Sequence, residues 1–391
     1  MEDYDIITRI GGGSFADVYK ASEKSTGEIV AIKVLKKKYS NWEECLELRE
    51  CKSLKKLHEE HLSNQPGNEN IVKLKRIIFV NESGTLNLIF EYLEKDLYEL
   101  MKGQSPLKLT ETQIRSITYQ TLLGLSYMHK YGFFHRDMKP ENLLVIGDKV
   151  KIADFGLARE IRSVPPYTEY VSTRYYRAPE CILKSTNYNS PVDIWALGAI
   201  IAEMYLHPQP LFLGSNEKEV LFKICSVLGT PTHSNWSEGL QQAKKENIRL
   251  PNVQATNLAV IIPQASSDAI DLMYQMLHWN PKKRATAYNL LQHPFFTRCG
   301  SIMNGIYLGD GSVVKNNSNS NNNNNGKNSS DITKYSANAK AVNESSRNNK
   351  KVTESYDESA SGKDEDTLSK MLNDTEGFDK CKMKYLYNYL I

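Results

Sequence analysis

The segment FHRDMKPENLL, from Phe134 to Leu144, crowds an acid, a cation and an amide into six residues between apolar flanks. These three side chains are Asp137, Lys139 and Asn142, and a proline between them discourages a helix. Polar groups brought so close together between apolar flanks are costly unless they are paired or used. The segment therefore predicts a loop whose polar side chains are kept for chemistry.

A second polar position follows a short predicted β-hairpin. In NLLVIGDKVKIADFG the chain turns at Gly147–Asp148, and Asp154 comes after the second strand and before a glycine. Mg²⁺ prefers a few protein oxygens together with substrate phosphates. Asn142 and Asp154 are therefore the predicted metal ligands.

Upstream, a strand and a helix each carry a charged residue in an unexpected place. Lys33 lies in the β-branched run IVAIKVL, and on a strand alone a solvent-facing lysine is the simpler interpretation. The helical pattern NWEECLELRECKSLKKLHEEHL then carries a stripe of Leu46, Glu50, Leu54 and Leu57. An ionised carboxylate on a buried face needs a cation, so Lys33 is the candidate partner of Glu50.

Near the start, IGGGSFADV (Ile10 to Val18) is a glycine-rich turn between two predicted strands. Glycine lets backbone amides approach phosphate oxygens, although such a turn is more often a plain tight hairpin. A dinucleotide-binding fingerprint would place a helix after the glycines, whereas the strand-like VYKAS follows here. A nucleotide-binding oxidoreductase is therefore a poor interpretation.

Composition excludes several classes of protein. The 391 residues carry a net charge of +3, too little to indicate a nucleic-acid or membrane-surface partner. The six cysteines are scattered without a CxxC, which favours a reducing cell interior over a zinc or disulfide framework. The N-terminus lacks the apolar region of a signal peptide. The most apolar stretch, Ile194 to Leu206, is too short to span a bilayer and contains Glu203, so it predicts a buried helix.

The order of patterns predicts an α+β fold of two lobes, a small β-rich one followed by a larger and mainly α-helical one. We expect one domain over residues 4–296, with lobes at about 4–92 and 93–296. The segment HEEHLSNQPGNEN, at residues 58–70, is interpreted as a surface loop.

Residues 297–391 differ sharply in composition. The tract NNSNSNNNNNGKNSS, from Asn316 to Ser330, has almost nothing to bury and cannot offset the entropy of ordering. This asparagine-rich tail is predicted to be mostly disordered. The final stretch MLNDTEGFDKCKMKYLYNYLI regains aromatic residues, and both a short docking helix and an unstructured end fit it.

Taken in order, the glycine-rich loop, VAIK, Glu50, HRDMKPEN, DFG and APE resemble the eukaryotic protein kinases. TEYVSTRYYRAPE and RATAYNLLQHPFF are similar to the CMGC group, and LRECKSLKKL to its RCK subfamily of male germ cell-associated and intestinal cell kinases. The resemblance covers Tyr4 to Phe296 and implies the bilobal kinase fold. Ala16 and Tyr175 depart from the family, which commonly has Gly and Trp at those positions.

The resemblance implies ATP- and Mg²⁺-dependent phosphorylation of serine or threonine in protein substrates, with a proline-directed preference. Asp137 would accept the proton of the substrate hydroxyl, Lys139 would steady the transferred phosphoryl group, and Lys33 paired with Glu50 would contact the ATP phosphates. The implied nucleotide-binding residues are Ile10, Gly11, Gly12, Gly13, Ser14, Val18, Ala31, Lys33, Glu91, Leu93, Asp96 and Leu144. Phe90 resembles the bulky residue at the back of the pocket.

The resemblance also assigns supporting and regulatory residues. Asp193 is expected to anchor the catalytic loop, and Glu180 to pair with Arg284. In PPYTEYVSTRYYRAPE, an upstream kinase would phosphorylate Thr168 and autophosphorylation would modify Tyr170. The implied phosphate readers are Arg49, Arg136 and Arg159 for the threonine, and Arg174 and Arg177 for the tyrosine. The alternative is that these hydroxyls are plain solvated surface.

A catalytically weak pseudokinase that acts as a scaffold is the alternative function. It predicts the loss of at least one of four residues, and Lys33, Asp137, Asn142 and Asp154 are all present. The helix that contains Glu50 reads LRE, without the sequence typical of cyclin partners, so no cyclin dependence is expected. The resemblance implies a cytoplasmic or nuclear protein, or one of the cilium or flagellum.

Overall fold

A five-stranded antiparallel sheet forms the first lobe. The computed structural model describes residues 1–103, 109–163, 173–207 and 209–297. The strands are β1 (Tyr4–Gly12), β2 (Ala16–Glu23), β3 (Ile29–Lys38), β4 (Leu74–Val80) and β5 (Thr85–Glu91). Their order in the sheet is β1-β2-β3-β5-β4, and every neighbouring pair is antiparallel. The strand predicted at Ile29 and the hairpin turn before Gly84 are confirmed.

Two helices follow β3, so the prediction of one continuous helix was wrong. Helix α1 (Trp42–Leu46) and helix α2 (Arg49–Leu57) are separated by Leu48, whose backbone is extended at φ −60° and ψ 135°. An extended residue interrupts the i→i−4 hydrogen-bond ladder, and its partly buried side chain packs on the core. The break removes Leu46 from the predicted stripe but leaves Glu50 on the buried side of α2.

The second lobe is mainly helical and is built around two long helices. Helix α4 (Glu111–Lys130) begins with a capping box, in which the Thr110 hydroxyl accepts from Gln113 N and the Gln113 side chain accepts from Thr110 N. Helix α6 (Pro191–Leu206) is almost wholly buried, which confirms the predicted buried helix. The remaining helices are α3 (Leu97–Gly103), α5 (Pro179–Ile182), α7 (Glu217–Leu228), α8 (His233–Lys245), α9 (Leu258–Ile261), α10 (Ser267–Met276), α11 (Ala287–Leu290) and α12 (Pro294–Thr297).

Five short strands hold the polar segments at the front of the helical lobe. Strands β6 (Lys95–Asp96), β8 (Leu143–Ile146) and β9 (Lys149–Ile152) form one small sheet, and β7 (Phe133–Phe134) pairs with β10 (Arg159–Glu160). Thus β7 and β8 flank residues 135–142, which include Asp137, Lys139 and Asn142, and β9 and β10 flank the turn that contains the DFG sequence. The predicted α+β bilobal fold is confirmed.

The 58–70 segment, interpreted from the sequence as a surface loop, is mostly exposed and is also packed against α4. Asn68 Nδ2 donates to the Leu57 carbonyl oxygen at 3.0 Å and to the Tyr127 hydroxyl at 2.9 Å. Gly67 has φ +88°, and a Cβ there would lie 2.2 Å from the Leu123 carbonyl oxygen. This close backbone approach requires glycine at position 67, and together with the hydrogen bonds of Asn68 it fixes the 58–70 segment against α4 and the end of α2.

Some predictions fall outside the described part of the chain. Thr168, Tyr170 and the asparagine-rich tail beyond Thr297 lie there, so their predicted phosphorylation and disorder stay predictions. Among the helices in the described ranges, none combines the length and apolar character needed to cross a membrane.

Candidate active site

Lys33 binds one carboxylate from its own lobe and one from the helical lobe. Its Nζ donates to the Glu50 oxygens at 2.9 and 2.8 Å and to Asp154 Oδ1 at 2.9 Å. Strand β3 supplies the lysine, α2 supplies the glutamate, and the turn after β9 supplies the aspartate. The side chain of Asp154 is 45% exposed, whereas those of Lys33 and Glu50 are 17% and 8% exposed. The predicted pair is therefore formed, with a third, accessible carboxylate beside it.

The charges of Lys33 and Asp154 stabilise each other, whereas burial raises the pKa of Glu50 despite the nearby ammonium of Lys33. Burial acts to lower the pKa of Lys33, but the attraction of Glu50 and Asp154 outweighs it and raises that pKa above its usual value. Desolvation acts to raise the pKa of Asp154, yet the ammonium of Lys33 brings it below the usual range. Both groups are therefore ionised at neutral pH, and the cluster presents a fixed cation and a fixed carboxylate.

The catalytic segment places its three polar side chains together. Asp137 is buried, Lys139 Nζ lies 3.4 Å from its Oδ2, and Asn142 Nδ2 donates to its carbonyl oxygen at 2.7 Å and to Oδ2 at 3.2 Å. The amide nitrogen of Asn142 is thus committed to Asp137. Within the described residues no hydrogen bond reaches Asn142 Oδ1, which remains an oxygen ligand of the type that Mg²⁺ prefers.

The oxygens of Asn142 and Asp154 fit Mg²⁺ only with help from a substrate. Within the described ranges no group of three or more His, Cys, Asp or Glu residues could hold a metal ion. A hard cation bound through one carboxylate and one amide oxygen needs further oxygen ligands, which phosphates supply. The donor set therefore matches a metal that arrives with a phosphate compound.

Two residues next to this site have left-handed backbone. Arg136 has φ 73° and Asp154 has φ 63°, conformations that cost on the order of 1–3 kcal/mol each. The fully buried Asp193 accepts hydrogen bonds from the backbone N–H of His135 at 2.8 Å and of Arg136 at 2.9 Å, and from His129 Nε2 at 2.9 Å. This contact holds the strained residue in place and agrees with the anchoring role expected for Asp193.

His135 connects the two catalytic segments and was not singled out from the sequence. Its Nδ1 accepts from the Asp137 backbone N–H at 3.2 Å, so the proton is assigned to Nε2, which donates to the Ala153 carbonyl oxygen at 2.9 Å. The ring also packs edge-on against Phe155, with centroids 5.3 Å apart. Only its position next to Arg136 and Asp137 could have signalled this role.

Two of the predicted adenine-contacting residues, Val18 and Ala31, share one face of the five-stranded sheet with Lys33. Val18 lies opposite Lys33 in the β2–β3 register, and Ala31 lies opposite Phe90 in the β3–β5 register. Leu144 lies in β8 and packs on the main core. The nucleotide-contacting roles predicted for these residues stay predictions.

Glu91 at the end of β5, and Leu93 and Asp96 after it, were predicted to contact the nucleotide. Glu91 Oε1 accepts from Lys73 N at 2.7 Å and pairs with Lys151 Nζ at 2.8 Å, and the Glu91 backbone N–H donates to the Lys73 carbonyl oxygen at 3.1 Å. The predicted backbone contact of Glu91 with adenine would therefore use its carbonyl oxygen. Leu93 is buried. Asp96 Oδ1 accepts from Glu99 N at 2.8 Å, and burial raises the pKa of this carboxyl. The predicted contact of Asp96 with the ribose would therefore use the other carboxylate oxygen, Oδ2.

The three arginines predicted to read phosphothreonine lie near one another. Partial burial lowers the pKa of Arg49, and the like charges of Arg159 and Arg136 lower it further. Arg136 Nη1 donates to the Leu157 carbonyl oxygen at 3.3 Å, and its Nη2 donates to the Tyr188 hydroxyl. The structure thus brings together the predicted cationic cluster.

The two arginines predicted to read phosphotyrosine have partners on the segment before and at the start of α7. Arg174 Nη1 donates to the Ser215 carbonyl oxygen at 3.0 Å, and Arg177 forms an ion pair with Glu217. Because Tyr170 lies outside the described residues, their predicted phosphate contact stays a prediction.

Comparisons with known proteins agree with this geometry. A family model described as "Protein kinase domain" matches residues 4–296. The chain belongs to the protein kinase family. Its kinase domain is 52% identical over 297 residues to serine/threonine-protein kinase MAK of Rattus norvegicus, which covers 76% of this chain and 46% of the relative.

Two further relatives show the same extent of similarity. Serine/threonine-protein kinase ICK of Mus musculus is 52% identical over 297 residues, covering 76% of this chain and 45% of the relative. A probable serine/threonine-protein kinase of Dictyostelium discoideum is 50% identical over 299 residues, covering 76% and 56%. The expected resemblance to the RCK subfamily is confirmed, and the chain spans about half the length of the curated relatives it matches.

Proposed function

We propose that this chain is a Mg²⁺- and ATP-dependent protein serine/threonine kinase. The observation that carries the proposal is Lys33, held between Glu50 and Asp154 and charged at neutral pH. The companion cluster of Asp137, Lys139 and Asn142 supports it, because all the polar groups that phosphoryl transfer requires are present and mutually placed.

The contacts of each residue indicate its role in the proposed reaction. Asp137 orients the substrate hydroxyl and accepts its proton, and Lys139, 3.4 Å away, offsets negative charge on the transferred group. Lys33 positions the ATP phosphates, and Glu50 keeps its amine aimed at the cleft. Asn142 and Asp154 would hold Mg²⁺, which would supply positive charge to the phosphate oxygens.

The proposal includes control by phosphorylation of Thr168 and Tyr170 in TEY. Three like charges at Arg49, Arg136 and Arg159 repel one another, and a phosphate adds about −1.5 to −2 charges that would relieve this repulsion. An upstream kinase supplies the phosphate on the threonine. The proposal also includes a proline-directed preference, which, like this regulation, rests on the resemblance of the sequence motifs to the CMGC kinases.

Turnover of Mg²⁺-ATP on myelin basic protein tests the activity. Asp137→Asn keeps the shape of the side chain but removes the proton acceptor, and should lower kcat about 10²- to 10⁴-fold. Asp148→Asn, on an exposed turn, is the matched control and should retain wild-type activity. Equal turnover by wild type and Asp137→Asn would favour the pseudokinase scaffold.

Mass spectrometry of Thr168 and Tyr170, combined with Thr168→Ala and Tyr170→Phe, tests the regulation. Wild-type activity in both variants would remove the switch. A peptide library with and without proline after the acceptor residue tests the substrate preference. For location we propose the cytoplasm or nucleus, or the cilium or flagellum, and imaging of the tagged full chain tests this.

A further inference from the structure

An ionic cluster lies on the glycine-rich hairpin between β1 and β2. Arg9 Nη2 donates to Asp17 Oδ1 at 2.7 Å, and Lys36 Nζ lies 3.5 Å from the same oxygen. The three side chains are 55%, 25% and 46% exposed, respectively. We call Arg9, Asp17 and Lys36 the ionic clasp.

The clasp also grips the backbone of the hairpin. Lys36 Nζ donates to the Gly13 carbonyl oxygen at 2.7 Å, and Lys36 N donates to the Phe15 carbonyl oxygen at 3.0 Å. Inside the hairpin, Gly13 N donates to the Ala16 carbonyl oxygen at 2.9 Å. Phe15 at the tip is 83% exposed, so apolar packing does not hold the tip. Its order depends on these polar contacts.

The clasp lies on the face of the sheet opposite the nucleotide side. Val18 is opposite Lys33 and shares its face, so the neighbouring Asp17 points the other way. A register shift between Arg9 and Gly11 turns Arg9 onto the face of Asp17. The ionic clasp therefore contacts the hairpin on the face of the sheet away from Lys33 and the predicted nucleotide.

The ionic clasp accounts for the presence of glycine at position 12. A Cβ at Gly12 would lie 1.9 Å from Arg9 Nη2 and 2.5 Å from Asp17 Oδ1, inside the ion pair. At Gly11 a Cβ would meet only Val18 Cβ at 3.8 Å, and at Gly13 it would meet nothing within 4 Å. Among the three glycines, Gly12 is the one where a side chain must displace Arg9 from Asp17.

We propose that the ionic clasp pre-orders the glycine-rich hairpin and thereby sets the affinity for the triphosphate of ATP, with Gly12 present to let the clasp close. Arg9, Asp17 and Lys36 are positioning residues, because they touch the hairpin and not the nucleotide. A glycine-rich segment loses much conformational freedom when it is ordered on a ligand, and ordering it beforehand lowers that cost. This inference rests on the proposed function for its kinetic readout.

The expected effect is modest because the clasp is exposed. Asp17→Asn should raise the KM for ATP about two- to fivefold and leave kcat within about twofold, as expected for an exposed ion pair. Asp17→Glu, which keeps the charge, should restore most of the affinity. The ratio of the variant and wild-type KM values should approach one near 1 M salt, where the screening length falls to about 3 Å.

A double-mutant cycle separates the clasp from a direct phosphate role of Gly12. Gly12→Ala alone should raise the KM for ATP as Asp17→Asn does, since both open the Arg9 contact. In the Asp17→Asn background, Gly12→Ala should add nothing. Additive effects would mean that Gly12 acts on ATP directly, and unchanged KM values in both single variants would equally overturn the proposal.

Two controls keep the outcome clear. Asp5→Asn removes the exposed Lys24–Asp5 pair, 3.3 Å apart at the other end of β1, and should leave the KM unchanged. The Kd for Mg²⁺-ADP, measured by calorimetry on the full chain, repeats the cycle without turnover. If the wild type binds nucleotide but phosphorylates nothing, the proposed function fails while this Kd cycle still tests the clasp.

Discussion

Two carboxylate–cation pairs, one in each lobe, differ in how completely their groups are satisfied. In the helical lobe, Glu180 and Arg284 are 5% and 0% exposed and meet through two hydrogen bonds of 2.9 and 3.0 Å. In the cleft, Lys33 and Glu50 are 17% and 8% exposed and share the lysine with a third group, Asp154. The first pair is closed to solvent and the second opens toward it.

The remaining N–H groups of Arg284 are also bonded, in each case to a backbone carbonyl oxygen. Nη1 also donates to the Pro191 carbonyl oxygen at 2.7 Å, and Nε and Nη2 donate to the His278 carbonyl oxygen at 3.2 and 3.1 Å. All five N–H groups of the guanidinium are thus used. The plane also lies 5.1 Å from the Trp195 ring. Because every N–H group of Arg284 is bonded within the protein, we assign this residue a structural role. Lys33, by contrast, could replace its bond to the exposed Asp154 with a bond to a phosphate oxygen.

The largest expected effect is a loss of stability when the buried Glu180–Arg284 pair is broken. Glu180→Ala leaves Arg284 buried without its counter-ion and should lower the free energy of unfolding by about 3–5 kcal/mol. Denaturant unfolding followed by circular dichroism measures this. The matched control is Glu180→Leu combined with Arg284→Leu, which removes both charges and should be less destabilising than the single change. A loss below about 1 kcal/mol for Glu180→Ala would contradict the scaffold role.

Glu203 sharpens the comparison, because its partner is a hydroxyl rather than a cation. It is 1% exposed and accepts from Tyr176 Oη at 2.7 Å. Burial raises the pKa of this carboxyl from 4.5 to about 7, although the hydrogen bond from Tyr176 opposes the shift. Since the folded state holds the proton more tightly, the stabilisation is complete below pH 4.5 and is lost as the pH rises through about 7.

The size of this effect is about 3 kcal/mol, from the shift between 4.5 and about 7. Glu203→Gln keeps an acceptor for Tyr176 and removes the titration. The variant should match the wild type at pH 4.5 and be more stable at pH 8. Unfolding of both proteins across this range measures the difference, and parallel curves would show that Glu203 does not carry the pH dependence.

Sequence alone predicts the lobes and the cleft well, because charged residues in apolar surroundings leave few possible partners. Glu50 on a buried helix face requires a cation, and Lys33 meets it. The missed features depend on tertiary geometry. The break at Leu48 has no glycine or proline to signal it, and Asp17 resembles any polar residue in a strand. Only the register shift at Arg9 brings that arginine to Asp17.

The smallest expected effect on stability is at the Lys33–Glu50 pair of the cleft, where we expect a clear effect on activity. Glu50→Gln keeps an oxygen that accepts from Lys33 but removes the charge, so Lys33 should shift toward Asp154 and away from the phosphates. We expect kcat/KM to fall about 10- to 100-fold, or about 1.4–2.7 kcal/mol of transition-state stabilisation. The free energy of unfolding should change by less than about 1 kcal/mol, because Lys33 keeps Asp154 as its counter-ion and the substitution removes a buried charge whose pKa burial already raises.

Steady-state kinetics and denaturant unfolding on the same preparation check both halves of this prediction. Glu47→Gln, an exposed glutamate between α1 and α2, is the matched control and should change neither quantity. If Glu50→Gln unfolded as readily as Glu180→Ala, the cleft pair would be a structural support like its counterpart. Because Lys33 already has an accessible second carboxylate, we expect the variant to stay folded and to lose mainly its hold on ATP.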